Sequence, residues 1–212
     1  VSGSLMPIAQ SLVAFQASVA QCDNLIASAH TVAAGGAFHF TPRDREQITV
    51  AAFLNMFIAW EEFIEASISD FMMGEATIGG NQPVRYVTPP TRDHSGKMVV
   101  HMNRYFDYAN QENVKKLTRL YFETGYPFET PINSLTQELS DLKIMRNASA
   151  HMSSTTRAAL EGLGLRIFGS PQASITVYQM LTADDPRTNP RVTVYASYRD
   201  KLLVAAVLIA QG

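Results

Sequence analysis

Residues 41–74 read "TPRDREQITVAAFLNMFIAWEEFIEASISDFMMG", and both ends of a helix are written into them. Thr41 is the N-cap, Pro42 occupies the first helical position, and Asp44 and Glu46 sit in the turn where the helix dipole favours negative charge. Phe53, Phe57, Trp60, Ile64, Ile68 and Phe71 follow at spacings of three and four, which puts six large apolar side chains on one stripe. Gly74 closes the pattern. The stretch predicts one long helix with a buried face. Glu61, Glu62 and Glu65 flank the stripe as acids of a solvated face.

Upstream, Ile8, Leu12, Phe15, Val19, Cys22 and Ile26 form an equivalent stripe that stops before Gly35-Gly36. Two long helices joined by a short glycine-containing link read as an antiparallel hairpin. Downstream, residues 75 to 100 are punctured by Gly79-Gly80, Pro83, Pro89-Pro90 and Gly96, which predicts a surface excursion with short candidates such as Val84 to Val87. Asn113 to Phe122 predicts a short helix ended by Gly125 and Pro127. Thr130-Pro131 and Ser134…Gln137 are overlapping start signals for another, with Leu135, Leu139, Leu142 and Met145 as its stripe. The pattern weakens after Gly162 and Gly164, Ile175 to Leu181 fits helix or strand, and Tyr195 to Ala210 is a helix with Tyr198, Leu202, Ala205 and Ile209 on one face. No internal repeat is present. The expectation is a single all-α domain spanning residues 1–212.

Composition narrows the function. The chain has 212 residues, 46% hydrophobic and 17% charged, with a formal net charge of −2. That is globular, and not the strongly basic balance of a bulk nucleic-acid binder. The single cysteine, Cys22, allows no internal disulfide and falls on an apolar stripe, which fits core packing and a reducing cytoplasm. No uninterrupted apolar run approaches the roughly 20 residues that span a bilayer. No basic region precedes an apolar stretch at the N-terminus, so it does not read as a signal peptide; without an initiator Met, Val1 to Ser4 read as a remnant or a trimmed start.

Most candidate motifs are bland. His30, His39, His94 and His101 are not paired with Cys, Asp or Glu at metal-ligand spacing, so neither metal nor cofactor is expected. Gly162-Leu163-Gly164…Gly169 follows a helix instead of a strand and reads as helix termination. No glycine-flanked serine suggests a hydrolase triad. The sequon Asn147-Ala148-Ser149 is a chance match.

One stretch stands apart. Residues 145–154, "MRNASAHMSS", place Arg146 and His151 five apart with only small and polar residues between them. Along a helix that spacing is about 7.5 Å of rise and about 140° of rotation, so the two side chains leave from different faces, though Arg is long enough to curl toward the imidazole. The guanidinium is a planar, permanent donor set suited to phosphate oxygens, and the imidazole exchanges protons near neutral pH. Together they hold the minimum for RNA cleavage by the substrate's own 2′-hydroxyl.

"LSDLKIMRNASAHMSS" (139–154) resembles the signature of the HEPN superfamily, R-x4-6-H near a helix end with a polar residue, here Asn147, after the Arg. "FDYANQENVKKLTRLYFETGYPFETPINSLTQELSDL" (106–142) is similar to the approach segment of its RiboL-PSP-like branch, and "FLNMFIAWEEFIEASI" (53–68) to that branch's long helix. The likeness covers roughly residues 45–152. It implies a helical bundle that forms homodimers, with two motifs facing each other across a cleft. It also implies a metal-independent endoribonuclease of toxin–antitoxin, abortive-infection or related defence systems, with RNA as substrate and an antitoxin as a possible partner. By position, Arg146 and His151 would be catalytic and Asn147 substrate-binding, with Glu61 or Glu62 supporting from a neighbouring helix. Some HEPN domains instead bind RNA or proteins without cutting. Some HEPN toxins continue R-x4-H-x-Y with a Tyr that a partner modifies; here that position is Ser153, so the resemblance does not extend to this regulation.

Overall fold

The computed structural model describes residues 6–100 and 106–212, so His101 and Val1 to Ser4 lie outside the described residues. The described chain is all-α. Its helices are α1 (Pro7–Ala29), α2 (Pro42–Met73), α3 (Arg92–Val100), α4 (Gln111–Tyr121), α5 (Glu129–Ser134), α6 (Thr136–Ala150), α7 (Ser154–Phe168), α8 (Val177–Thr182) and α9 (Val194–Gln211). Among the described residues the only β-type pairing is three isolated bridges.

The start of α2 is built as its sequence demands. Thr41 Oγ1 accepts from the Asp44 N–H at 3.2 Å, and the Asp44 carboxylate accepts in return from the Thr41 hydroxyl at 2.6 Å. Its end is set by Gly74, whose φ of +95° only glycine adopts without strain, and whose missing Cβ leaves room for the Arg85 guanidinium. All six stripe residues are buried to 1% exposure or less. By length and composition α2 would also cross a bilayer, with a mean hydropathy of 1.2 over its richest window. Half of that window is buried inside the protein, as a core helix requires.

The chain divides into two compact units. The first comprises Val1–Ala17, Ala59–Leu139 and Leu202–Gly212. Within it the Phe15 ring lies 6.0 Å from Trp60 and 5.5 Å from Phe63, while Ser11 donates to Asp70 at 3.1 Å. Descending along α1 meets ascending residues of α2, so the two helices run antiparallel here, as the hairpin reading expects. Phe71, Phe122 and Phe128 form a second aromatic cluster. Asp70 is fully buried and also accepts from Arg92.

The excursion expected over residues 75–100 is more ordered than its glycines and prolines suggest. Ile78 and Gly79 donate to the carbonyls of Ala210 and Gln211 at 2.8 and 3.2 Å, satisfying acceptors that the end of α9 leaves open. Val84 to Val87 is no strand, but Arg85 bridges to Phe122. Residues 92–100 are a helix, not a loop. Thr91 caps it through the His94 N–H, and Ser95 and Val99 are its buried contacts. Gly96 hid this helix from the sequence; burial of the other face outweighs the roughly 1 kcal/mol that glycine costs a helix.

The second unit comprises Ser18–Ile58 and Ser140–Lys201. Its core gathers Val19 and Cys22 of α1, Phe53, Met56 and Phe57 of α2, Leu142 and Met145 of α6, Leu160, Leu163 and Ile167 of α7, and Tyr195 and Tyr198 of α9. Burial, then the Asp23 charge, pushes the Cys22 thiol upward, which suits a packing role. The termination expected at Gly162 and Gly164 is a correction: both lie inside α7. The helix stops at Gly169, in the left-handed conformation at φ 71°. Gly164 is buried against Gln172, where a Cβ would come within 3.1 Å, so close approach of the following loop explains it.

Candidate active site

The signature helix is α6. Leu135, Leu139, Leu142 and Met145, the predicted stripe, are all buried. A rigid anchor lies one turn and a half before Arg146. The buried Asp141 carboxylate accepts from Tyr198 of α9 and from Arg166 of α7. Tyr198 in turn is reached by Arg187 at 3.4 Å, and Arg187 grips the buried Asp185 with two side-chain bonds of 2.8 Å. Burial first, then the bond to Asp141, drives the Tyr198 hydroxyl far above its usual range and keeps it protonated as a donor. Burial opposes ionisation of Asp185, but the hydrogen bonds and charge of Arg187, with Ser197, prevail and hold that carboxyl at about 2.

From this anchored helix Arg146 and Asn147 project into solvent, while Met145 and Ala148 on either side are buried. α6 ends at Ala150, so His151 is the first residue beyond the helix. Its backbone is nevertheless fixed. The His151 N–H donates to the Asn147 carbonyl at 3.0 Å. Its own carbonyl accepts from Thr156 Oγ1 at 2.6 Å and from the Ser153 N–H at 3.2 Å. Ser153 caps α7 with Thr156 as its reciprocal partner. The imidazole is exposed. Among the described residues neither the Arg146 guanidinium nor the His151 ring has a hydrogen-bond or ion-pair partner.

Arg146, Asn147 and His151 are all exposed around the C-terminal end of α6, a corner of the second unit. Glu61 and Glu62 belong to the first unit, Glu61 half-buried and Glu62 exposed. Glu62 lines an open cleft of about 470 Å³ with Glu65, Ser69, Arg92 and Asp93. Among the described residues no group of three or more His, Cys, Asp or Glu is gathered that could hold a metal.

A charge pattern that motif reading misses runs through the corner. Residues 142–160 contain no Asp or Glu, yet include Lys143, Arg146, His151 and Arg157. The acids that bound the run are both engaged: Asp141 as described, and Glu161 with the Ser174 N–H at 2.7 Å. Arg157 is exposed and, among the described residues, without a partner. Counting charges between consecutive acids would have exposed this island of positive potential in a chain of net charge −2.

Fold and site thus define an all-α protein with an exposed corner that carries Arg146, Asn147 and His151. Compared with family models, curated proteins and solved structures, the chain finds no match.

Proposed function

We propose that the protein is an endoribonuclease of the HEPN type that cleaves RNA through the substrate's 2′-hydroxyl, with Arg146 and His151 as its catalytic residues. One observation carries the reading. An exposed guanidinium and imidazole, without partners among the described residues, stand on a fixed backbone in a run without acids. In a homodimer the two corners would face one cleft, and two imidazoles would be present. One accepts the 2′-hydroxyl proton as the O2′–P bond forms. The other delivers a proton to the 5′-oxygen as the P–O5′ bond breaks. Arg146 stabilises the charge on the phosphorane oxygens, and Asn147 binds the strand beside it. Products end in a 2′,3′-cyclic phosphate and a 5′-hydroxyl. The defence or toxin–antitoxin setting belongs to the same proposal and comes from the signature resemblance.

The test is incubation with mixed RNAs in chelator, wild type beside His151→Ala. Cleavage by the wild type alone, with cyclic-phosphate ends, supports the reading. Cleavage of DNA, 3′-hydroxyl ends, a requirement for a divalent ion, or full activity of His151→Ala would each sink it. Light scattering that finds a monomer at micromolar concentration would remove the two-imidazole cleft.

A further inference from the structure

We propose that Arg157 holds a second phosphate of the bound RNA strand, next to the scissile one, and so sets strand affinity without entering the chemistry. The inference rests on the corner being a nucleic-acid site.

Arg157 lies in the first turn of α7, which contains no acidic residue. A cation there faces the positive end of the helix dipole, a placement that costs stability instead of adding it. Nothing in the protein offsets this, since Ser153 and Thr156 already cap the turn and the guanidinium meets no carboxylate among the described residues. Its position relative to His151 is fixed. Thr156, its chain neighbour, bonds the His151 carbonyl, and the Arg157 N–H donates to the Ser153 carbonyl at 3.0 Å. Three groups that favour anions therefore emerge within twelve residues of a pinned helix–turn–helix. In the proposed reaction the scissile phosphate is served by the imidazoles and by Arg146. A further guanidinium without a counter-charge suits a neighbouring phosphodiester of the same strand, because successive phosphates are the repeating anion of RNA.

Arg43 is the internal control. It too is exposed, in the first turn of a long helix and without a partner among the described residues, but Asp44 and Glu46 stand beside it. Its charge is locally balanced; that of Arg157 is not.

The experiment is fluorescence anisotropy with a mixed-sequence oligoribonucleotide carrying 2′-O-methyl groups, which cannot be cleaved, titrated at several salt concentrations. Arg157→Gln should weaken binding about tenfold and flatten the salt dependence by about 0.7 in log–log slope, the value of one phosphate contact on a single strand. Arg157→Lys should keep most of the slope, and Arg43→Gln should match wild type. In parallel, Arg157→Gln should raise KM for cleavable RNA and leave kcat unchanged. Equal binding by Arg157→Gln and wild type, an equal loss in Arg43→Gln, or no binding by wild type overturns the proposal. Binding that behaves as expected in a protein that cuts nothing would sink the nuclease reading and leave Arg157 in its role.

Discussion

Two kinds of arginine stand apart among the described residues. Arg92, Arg166, Arg187 and Arg199 each end on an aspartate: Asp70, Asp141, Asp185 and Asp23. Three of those carboxylates are fully buried, so each guanidinium neutralises a charge that could not otherwise leave water. Arg146 and Arg157 have no such partner among the described residues and stand where acids are missing. The first kind holds helices in place, since Asp141 ties α6 to α7 and α9. The second kind spends its charge outward. Under the proposed function, stability and ligand recognition would thus reside in the same residue type, sorted by what lies opposite.

The comparison breaks most visibly on activity. His151→Ala should lower RNA cleavage by about 10²–10⁴-fold and Arg146→Ala by about 10²–10³-fold, with thermal unfolding unchanged. Arg146→Lys should also fail, because an ammonium cannot present the planar fork. If either alanine variant unfolds instead, as circular dichroism would report, the corner is structural and the division between the two kinds collapses.

The paired kind predicts the opposite outcome. Asp141→Ala should cost about 2–3 kcal/mol in urea unfolding, as it strips the Tyr198 hydroxyl and Arg166 of their acceptor. Arg166 is part-exposed and recovers some hydration, so the loss stays below that of a wholly buried pair. Arg166→Gln should destabilise less than Asp141→Ala, and both variants should keep their cleavage rate below the melting temperature. A stable Asp141→Ala protein would mean the anchor is dispensable.

Acid should dissolve the paired network and spare the corner's fold until then. Asp185 is held at about 2 in the folded protein, below its ordinary 3.8. A depressed carboxylate contributes stability that is full above pH 4 and is lost as pH falls toward 2. Its share is on the order of 2 kcal/mol. Unfolding free energy measured from pH 6 to pH 2 should fall less steeply in Asp185→Asn than in wild type. Parallel profiles would show that this carboxylate does not drive acid unfolding.

The smallest effect belongs to the joint between the two kinds. Ser153→Ala removes the cap of α7 and should cost about 1 kcal/mol, or roughly 2–4 °C in melting temperature. Because the same turn fixes the His151 carbonyl, kcat should fall modestly while the affinity for uncleavable RNA holds. A change in affinity alone would place Ser153 on the RNA.

Much of the fold was legible because its signals are local. Thr41-Pro42 and Gly74 mark the start and stop of α2, and the apolar stripes of α1, α2, α6 and α9 are buried as their spacing predicts, save Ile26 at the end of the α1 stripe, which is half-buried. The misreadings cluster at glycines. Gly96, Gly162 and Gly164 look like breaks, yet helices form through them because burial of neighbouring side chains outweighs glycine's intrinsic cost. The candidate site was half legible. Arg146, Asn147 and His151 were found by their pattern, while Arg157 lay outside it and showed only in the charge map.

By itself, then, the sequence determined the long helices α1, α2 and α9, the apolar stripe of α6 and the cation-imidazole pair, since periodicity, capping and spacing act over a few residues. The partners of each charge were decided only in three dimensions. Asp141 is 25 residues from Arg166 and 57 from Tyr198, and no local rule joins them. Nor could sequence tell that α6 ends one residue before His151, where the Ser153–Thr156 cap claims the His151 carbonyl and the chain turns into α7. A buried acid must find a donor wherever packing brings one, and Arg146 and Arg157 are cations that no such acid claims among the described residues.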